Sequence, residues 1–417
     1  MTDSSPNGPA VAGAHLVVIG AGGNIGSHLV PLLARTQGVG RLTLIDRDRY
    51  EAANLVSQDA GARDVGHTKV SVQARRARCA NSALRVDAVH APVEQLPLGA
   101  LRGDLILTCL DSRAARQYVN EASRRLGIPW IDAGVMADLW LARVSVYSNA
   151  ADTACMECAW SQSDYASLEQ TFACGATNAV AATGAAASLG ALAAAMQAIE
   201  CQRLLTLVSD ATRIECREII TAALHGRQWG TALRRQATCR LPDHKPWHIA
   251  SLPFGSLALT LAQIASREGA GGSPHLLKVS VAGRRFALRV RCVECGEELP
   301  RARAIQDGGE TSRPRCRRCG HAMHATAVDR VDALAIDALP RWLLARPLRR
   351  LGVRALDVMT LSTRDGERHL AIGPEPRSRE MGRSTEANPD RRQPPEARRE
   401  RRTSGDAGHS PIPSRRN

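Results

Sequence analysis

The sequence predicts an α/β protein built on a doubly wound, mostly parallel sheet, with an appended metal-ligand module and a tail that lacks a core. Three observations predict it. Apolar runs of strand length alternate with helical stretches between residues 13 and 150, a pattern that buries a sheet between two helix layers. A glycine-rich turn follows the first run. Two Cys-x-x-Cys pairs, Cys292/Cys295 and Cys316/Cys319, stand far outside the glycine-turn region.

The first element, His15-Leu-Val-Val-Ile19, reads as a buried strand. The turn after it is Gly20-Ala21-Gly22-Gly23-Asn24-Ile25-Gly26. Such a turn lets backbone N–H groups and a helix N-terminus approach a phosphate. A helical stretch leads to a second strand, Arg41 to Asp46, whose terminal acid is placed to accept hydrogen bonds from a ribose. The dinucleotide fingerprint has its third glycine where Ile25 stands here. The turn alone therefore suits NAD or another nucleotide on a Rossmann-like sheet.

The following motifs narrow the choice. They are Asp46-Arg47-Asp48, Asn54-Leu55-Val56-Ser57-Gln58, and Asp64 through Lys69. A strand then ends at Asp111, Arg116 and Asn120 follow on a helix, and Ile128 to Gly134 is another buried strand. Taken singly, Lys69 also reads as a solvated helix lysine and Asp111 as a helix cap. In this order and spacing, the motifs resemble the adenylating superfamily that includes ThiF, MoeB and the ubiquitin-activating enzymes. The resemblance spans roughly residues 13 to 250.

The resemblance implies an enzyme that uses ATP and magnesium to turn a C-terminal carboxylate into an acyl-adenylate. The carboxylate would belong to a ubiquitin-like or sulfur-carrier protein ending in Gly-Gly, or to a peptide. It implies that Lys69 contacts the phosphates, Asp111 orients Mg2+, Asn54 places the triphosphate and Asp46 holds the ribose, with Asp48 a second candidate. Gly20, Ala21, Gly22, Gly23, Asn24, Ile25 and Gly26 would form the nucleotide turn. Family members usually carry Asn-Leu-x-Arg-Gln, and Ser57 stands at the arginine position here. Arg47, Arg49, Arg63 or a partner subunit would have to supply that cation. Otherwise the chain is a nucleotide-holding scaffold that recruits a partner.

The twelve cysteines are better explained by metal and core than by disulfides. Cys292, Cys295, Cys316 and Cys319, each pair followed by glycine, have the spacing of a structural zinc ribbon. Cys155-Met-Glu-Cys158 is a third knuckle, at the place where the family carries half of a zinc site. Cys239 and His244 would complete it as a Cys3His set, with His248 as the spare ligand and a metal-free thiol pair as the alternative. By resemblance, Cys174 could carry the acyl group as a thioester; it also reads as a small core residue. Cys79, Cys109, Cys201 and Cys216 read as reduced core.

Residues 1–12 form a polar leader without the apolar core of a secretion signal, which with the reduced thiols implies a cytoplasmic protein. The adenylation-type domain covers 13–250, and its helix around Ala179 to Leu207 is Ala/Gly-rich, too weakly apolar for a membrane span. The module over 251–373 holds the ribbon at 292–319, entered by a hairpin from Leu277 to Val290. Residues 374–417 are Arg- and Pro-rich and read as disordered.

The net charge is +14, of which the tail carries +4 from 11 arginines and 7 acids. A basic surface suits nucleic acid and equally an acidic protein, but with 3% aromatic residues there are few stacking platforms. An NAD-dependent oxidoreductase fits less well, because hydride transfer needs neither the Cys155 knuckle nor the Asn54/Lys69/Asp111 order. The bacterial relatives imply a homodimer.

Overall fold

An apolar run with almost no polar relief can only be an interior strand, and β1 (Ala14–Ile19) is one, its Leu16, Val17 and Val18 fully buried. The computed structural model describes residues 13–169, 185–206, 214–241, 243–253, 255–268, 276–305 and 314–373. The leader, the tail and Cys174 lie outside the described residues. After β1 come α1 (Asn24–Ala34), β2 (Val39–Asp46), α2 (Lys69–Ala80), β3 (Arg85–His90), β4 (Leu105–Thr108) and α3 (Arg113–Leu126). Next are β5 (Trp130–Met136), β6 (Leu141–Tyr147), α4 (Gln162–Glu169), α5 (Ala187–Leu205), β7 (Arg217–Ala222) and β8 (Arg227–Ala232).

These strands form one sheet in the order β3-β2-β1-β4-β5-β6-β7-β8. The five strands from β3 to β5 run parallel, whereas β6, β7 and β8 join antiparallel. Helices α1, α2 and α5 pack on one face around Leu29, Val70 and Ala193. Helix α3 covers the other through Ala115, Val119 and Ala122. The expected doubly wound, mostly parallel sheet is therefore present.

Helix α5 explains its own composition. Gly190 lies where a Cβ would collide with the Asn24 side chain, so only a bare backbone lets α5 reach the glycine turn. Asn24 Nδ2 then donates to the Ala185 carbonyl at 2.9 Å. Deeper in, the fully buried Gln197 donates through Nε2 to the carbonyls of Thr108 and Ile131 at 3.1 and 2.9 Å. The helix is shorter than expected from sequence: Ala186 is extended, so α5 begins at Ala187, and residues 179–184 and Leu207 lie outside the described residues. No helix among the described residues is long and apolar enough to cross a membrane.

The rest of the described chain supplies β9 (Ile249–Ser251), α6 (Leu261–Glu268), β10 (Lys278–Val281), β11 (Arg285–Cys292), β12 (Glu298–Ile305) and β13 (Met323–His324). It continues with β14 (Arg330–Val331), β15 (Ala333–Ala335), α7 (Arg341–Leu344), β16 (Val358–Thr363) and β17 (Gly366–Ala371). One sheet has the order β15-β10-β16-β17-β9, and a second joins β12, β11 and β13, with β14 also on β11. The hairpin expected between Leu277 and Val290 does not form a ladder. After a turn at Gly283, φ +68°, a single Val281–Arg284 bridge separates β10 from β11. Both edges of β10 are taken by β15 and β16, while β11 pairs with β12. The two strands therefore part into different sheets.

Arg284, between them, is buried against Asp357 at 2.8 Å and donates to the carbonyls of Gly352 and Ala304. This second region joins the first through Gly99 N–H to the Leu356 carbonyl and Arg354 to the Gln95 carbonyl. Trp247 stacks on His369 at 4.0 Å with the Arg125 guanidinium on the Trp247 ring.

Of the four cysteines expected in the core, Cys201 and Cys216 are buried and Cys109 partly so, but Cys79 is exposed. The inward face of α2 runs through Val70, Ala74 and Ala77, and a residue two beyond Ala77 points away from that face. Cys216 lies just before β7 rather than inside a strand or helix.

Candidate active site and metal-ligand clusters

A cleft of about 380 Å3 lies at the carboxyl ends of all five parallel strands, the place where open α/β sheets bind ligands. The loop after β1 contributes Gly20, Gly23, Asn24 and Ile25, and the end of β2 contributes Asp46, Arg47 and Asp48. Pro92, Val93 and Glu94 follow β3, Cys109 to Ser112 follow β4, and Gly134 and Val135 end β5. Asn54, Ser57, Gln58 and Lys69 close one side.

The turn is shaped by close approaches. Gly20 has φ +79°, with the Cys109 carbonyl where a Cβ would stand. Gly22 presses on the Lys69 stem, again leaving no room for a Cβ. Ala21, Gly22 and Gly26 thus build the turn from behind and do not line the cleft.

Asp46 is nearly buried and accepts N–H bonds from Gly22 at 2.9 Å and Asp48 at 3.0 Å. Burial raises its carboxyl above the ordinary range, and those two N–H groups pull in the opposite direction. Lys69 is also buried, so it is not a solvated helix lysine. Its ammonium lies 3.3 Å from Asp48 Oδ2. Ser112, not Asp111, caps α3, its side chain accepting from Ala115 N–H at 3.3 Å. Asp111 is left exposed on the cleft wall. Asn54 Oδ1 accepts from Glu51 N–H at 3.0 Å, which fixes the short helix Ala52–Val56.

Around this cleft stand four carboxylates, Asp46, Asp48, Glu94 and Asp111, against three cations, Arg47, Lys69 and Arg116. A polyphosphate bound against this excess of acid would need a divalent cation between them. Of the three arginines that sequence offered in place of Ser57, only Arg47 lines the cleft. Arg49 donates to the Gly66 carbonyl at 2.9 Å, and Arg63 is exposed outside the cleft.

Sequence reasoning named Arg116 without a role and missed Glu94 and Val135. Arg116 binds the fully buried Asp132 at 3.0 Å, and Arg143 binds the same carboxylate at 2.7 Å. The only signal for Glu94 and Val135 was their position at or just beyond a strand end.

In each of two thiol clusters the four ligand atoms lie within 4.8 Å of one another, close enough to share one metal ion. In the first, Cys155 Sγ lies 3.9 Å from Cys158 Sγ, 3.6 Å from Cys239 Sγ and 3.7 Å from His244 Nε2. Bonds of about 2.3 Å to sulfur place tetrahedral ligands about 3.8 Å apart. The other ring nitrogen, His244 Nδ1, is 2.9 Å from the Thr153 carbonyl, which orients the imidazole. Arg124, itself buried, holds that loop through the carbonyls of Ala150, Thr153 and Ala154. His244 is thus the fourth member, and His248 is outside the cluster and exposed.

In the second cluster, sulfur separations are 3.3 Å for Cys292–Cys319, 3.4 Å for Cys295–Cys316 and 3.5 Å for Cys295–Cys319. These exceed a disulfide bond of about 2.05 Å. Gly296 and Gly320, at φ +70° and +77°, turn each knuckle. Soft thiolate sets of this kind fit zinc.

Comparison with known proteins gives three findings. The ThiF family matches residues 10–241. Ubiquitin-like modifier-activating enzyme 5 of Oryza sativa subsp. japonica is 29% identical over 159 residues, 34% of this chain and 37% of that protein. The Bombyx mori protein of the same name is 29% identical over 157 residues, 34% and 39% of the two chains. The chain therefore spans less than half the length of these curated relatives. Among solved structures, E. coli MccB with ATP is 23% identical over 55% of this chain and 66% of that chain, with TM-score 0.44. PaaA is 21% identical over 53% and 73%, with TM-score 0.43.

Proposed function

This chain belongs to the ThiF family, and from that premise we propose that it is an ATP-dependent adenylyltransferase acting on a carboxylate. The observation that carries the proposal is the cleft at the ends of the five parallel strands, where Asp46, Lys69 and Asp111 meet around the glycine turn. A triphosphate needs cations at its phosphates and an acid for its metal, and this one site offers both.

In the proposed reaction a carboxylate oxygen attacks the α-phosphorus of ATP. The new bond is acyl C–O–P, the bond broken joins the α-phosphorus to the bridging oxygen, and pyrophosphate leaves with that electron pair. Asp46 receives the ribose hydroxyls, and Lys69 and Arg47 bear on the phosphates. Asn54 positions the triphosphate chain. Asp111 and Asp48 would hold Mg2+, which when bound neutralises charge on the leaving pyrophosphate. Arg47 supplies the phosphate-facing cation that Ser57 cannot.

The acceptor class we propose is the C-terminus of a ubiquitin-like or sulfur-carrier protein, or a peptide. The names of the relatives from rice and silkworm, which specify ubiquitin-like modifier activation, support it. Onward transfer to Cys174 as a thioester, a homodimer, zinc in both thiol clusters and a cytoplasmic setting belong to the same reading. Ser57 favours one rival, a scaffold that holds nucleotide without reacting.

ATP–pyrophosphate exchange on the purified chain tests the choice, with carrier proteins and carboxyl-terminal peptides added singly. Acceptor-dependent exchange that Asp111→Asn lowers about 100-fold or more is the expected result. ATP binding without exchange for every acceptor would favour the scaffold. Cys174→Ala is expected to spare exchange and abolish any thiol-sensitive adduct.

A further inference from the structure

Beside the nucleotide cleft lies a second cavity of about 330 Å3. The two share Arg116, Gly134 and Val135, so they meet at the end of β5. The cleft wall mixes acids, cations and amides with apolar residues such as Ile25, Val93 and Leu110. The second cavity is walled by Met136, Leu141, Met156, Trp160 and Ile220. Resting on the adenylation reading, we infer that this cavity is a subsite for a bulky apolar side chain close to the reacting carboxylate. An acceptor ending only in small residues would leave it unfilled.

The charges in its wall favour an apolar guest over an acidic one. Arg116 and Arg143 both bind the buried Asp132, and Arg143 also binds Glu218 at 3.1 Å. Arg113 binds Asp164 at 2.7 Å. The three guanidiniums therefore face three carboxylates, and the cavity offers no surplus cation to an acidic side chain. Gly134 maintains this arrangement: a Cβ there would meet Arg116 at 3.3 Å and Arg143 at 3.4 Å. A Cβ at this position would crowd the Arg116 guanidinium.

One member of the apolar wall, Trp160, is also held in place before any guest arrives. Trp160 lies under the Arg113 guanidinium at 5.7 Å and meets Tyr165 edge-on at 5.2 Å. Tyr165 in turn donates to Glu157 at 3.0 Å. A rigid pocket loses little on filling, so the burial of a leucine-sized side chain is expressed as affinity.

The test uses the full chain and fluorescein-labelled Gly/Ser heptapeptides carrying Gly, Leu or Glu at each of the last three positions. Binding is read by fluorescence polarisation with C-terminal amides, which cannot be adenylated, and exchange is read with the free acids. Leu at one position is expected to bind about tenfold or more tighter than Gly, and Glu no tighter than Gly. Ile220→Trp, which fills the cavity from the partly exposed strand β7, should erase the preference while ATP binding persists. Leu141→Phe is the second filling variant. Equal binding of the Leu and Gly peptides at all three positions overturns the subsite, as does a preference that survives both variants. A Leu preference that Ile220→Trp erases, without exchange, upholds the subsite and removes the adenylation reading. Exchange without a Leu preference does the reverse.

Discussion

Lys69 and Gly22 are a single unit, because the lysine stem lies where a Cβ of residue 22 would go. Lys69→Met keeps that stem and removes only the charge near Asp48. It is expected to lower exchange by about two orders of magnitude with little change in the urea midpoint. Gly22→Ala should instead cost stability, about 1–3 kcal/mol as overpacking, read from the same unfolding curve. Asp46 was legible from its place at a strand end, whereas the roles of Lys69 and Asp111 were legible only through the resemblance to the adenylating superfamily. Asp46, Lys69 and Asp111 could be placed without knowing the strand order. Glu94 and Val135 could not, since they reach the cleft only because β3 and β5 flank β2 and β4. Arg116 stood in plain view on its helix, but its partner Asp132 is brought to it by the pairing of β4 with β5.

Among the elements, the knuckles and the parallel strands are readable because both are local patterns. The Cys239–His244 loop was paired to the Cys155 knuckle by ligand chemistry, and the fold brings all four ligand atoms within 4.8 Å of one another. Metal analysis is expected to find about two zincs per chain, one lost in His244→Ala and the other in Cys292→Ser. A single zinc lost only with Cys292→Ser would contradict the first cluster.

The strand partners of β10 and β11 were not readable. Their alternating residues suit a hairpin, and what parts them is competition from β15 and β16, which arrive from distant sequence, and from β12, which follows β11 directly. Arg284 sits at that parting with Asp357, whose side chain is 0% exposed. Arg284→Met should therefore destabilise the chain by about 1–3 kcal/mol in urea unfolding, since it leaves the buried Asp357 with only the Arg354 N–H at 2.7 Å and the longer Arg354 guanidinium contact at 3.7 Å. Adding Asp357→Leu should recover most of the loss.

Across the whole molecule, the eight-stranded sheet and the second region are joined by backbone and side-chain bonds from Gly99, Gln95 and the Trp247–His369 stack. The parallel sheet was legible as a class, but its antiparallel extension β6-β7-β8 was not, because the knuckle, α4 and α5 intervene before β7. That extension carries Leu141 and Ile220, on β6 and β7, which wall the second cavity. In the proposed reaction a carboxylate oxygen becomes bonded to the α-phosphorus of ATP at this site. The most direct measurement supplies an acceptor with an 18O-labelled carboxylate and follows the label by mass spectrometry. When hydroxylamine attacks the acyl carbon of the adenylate and AMP leaves with the bridging oxygen, one 18O is expected in that AMP, and none in Asp111→Asn. Label in inorganic phosphate, or AMP without label, would contradict it.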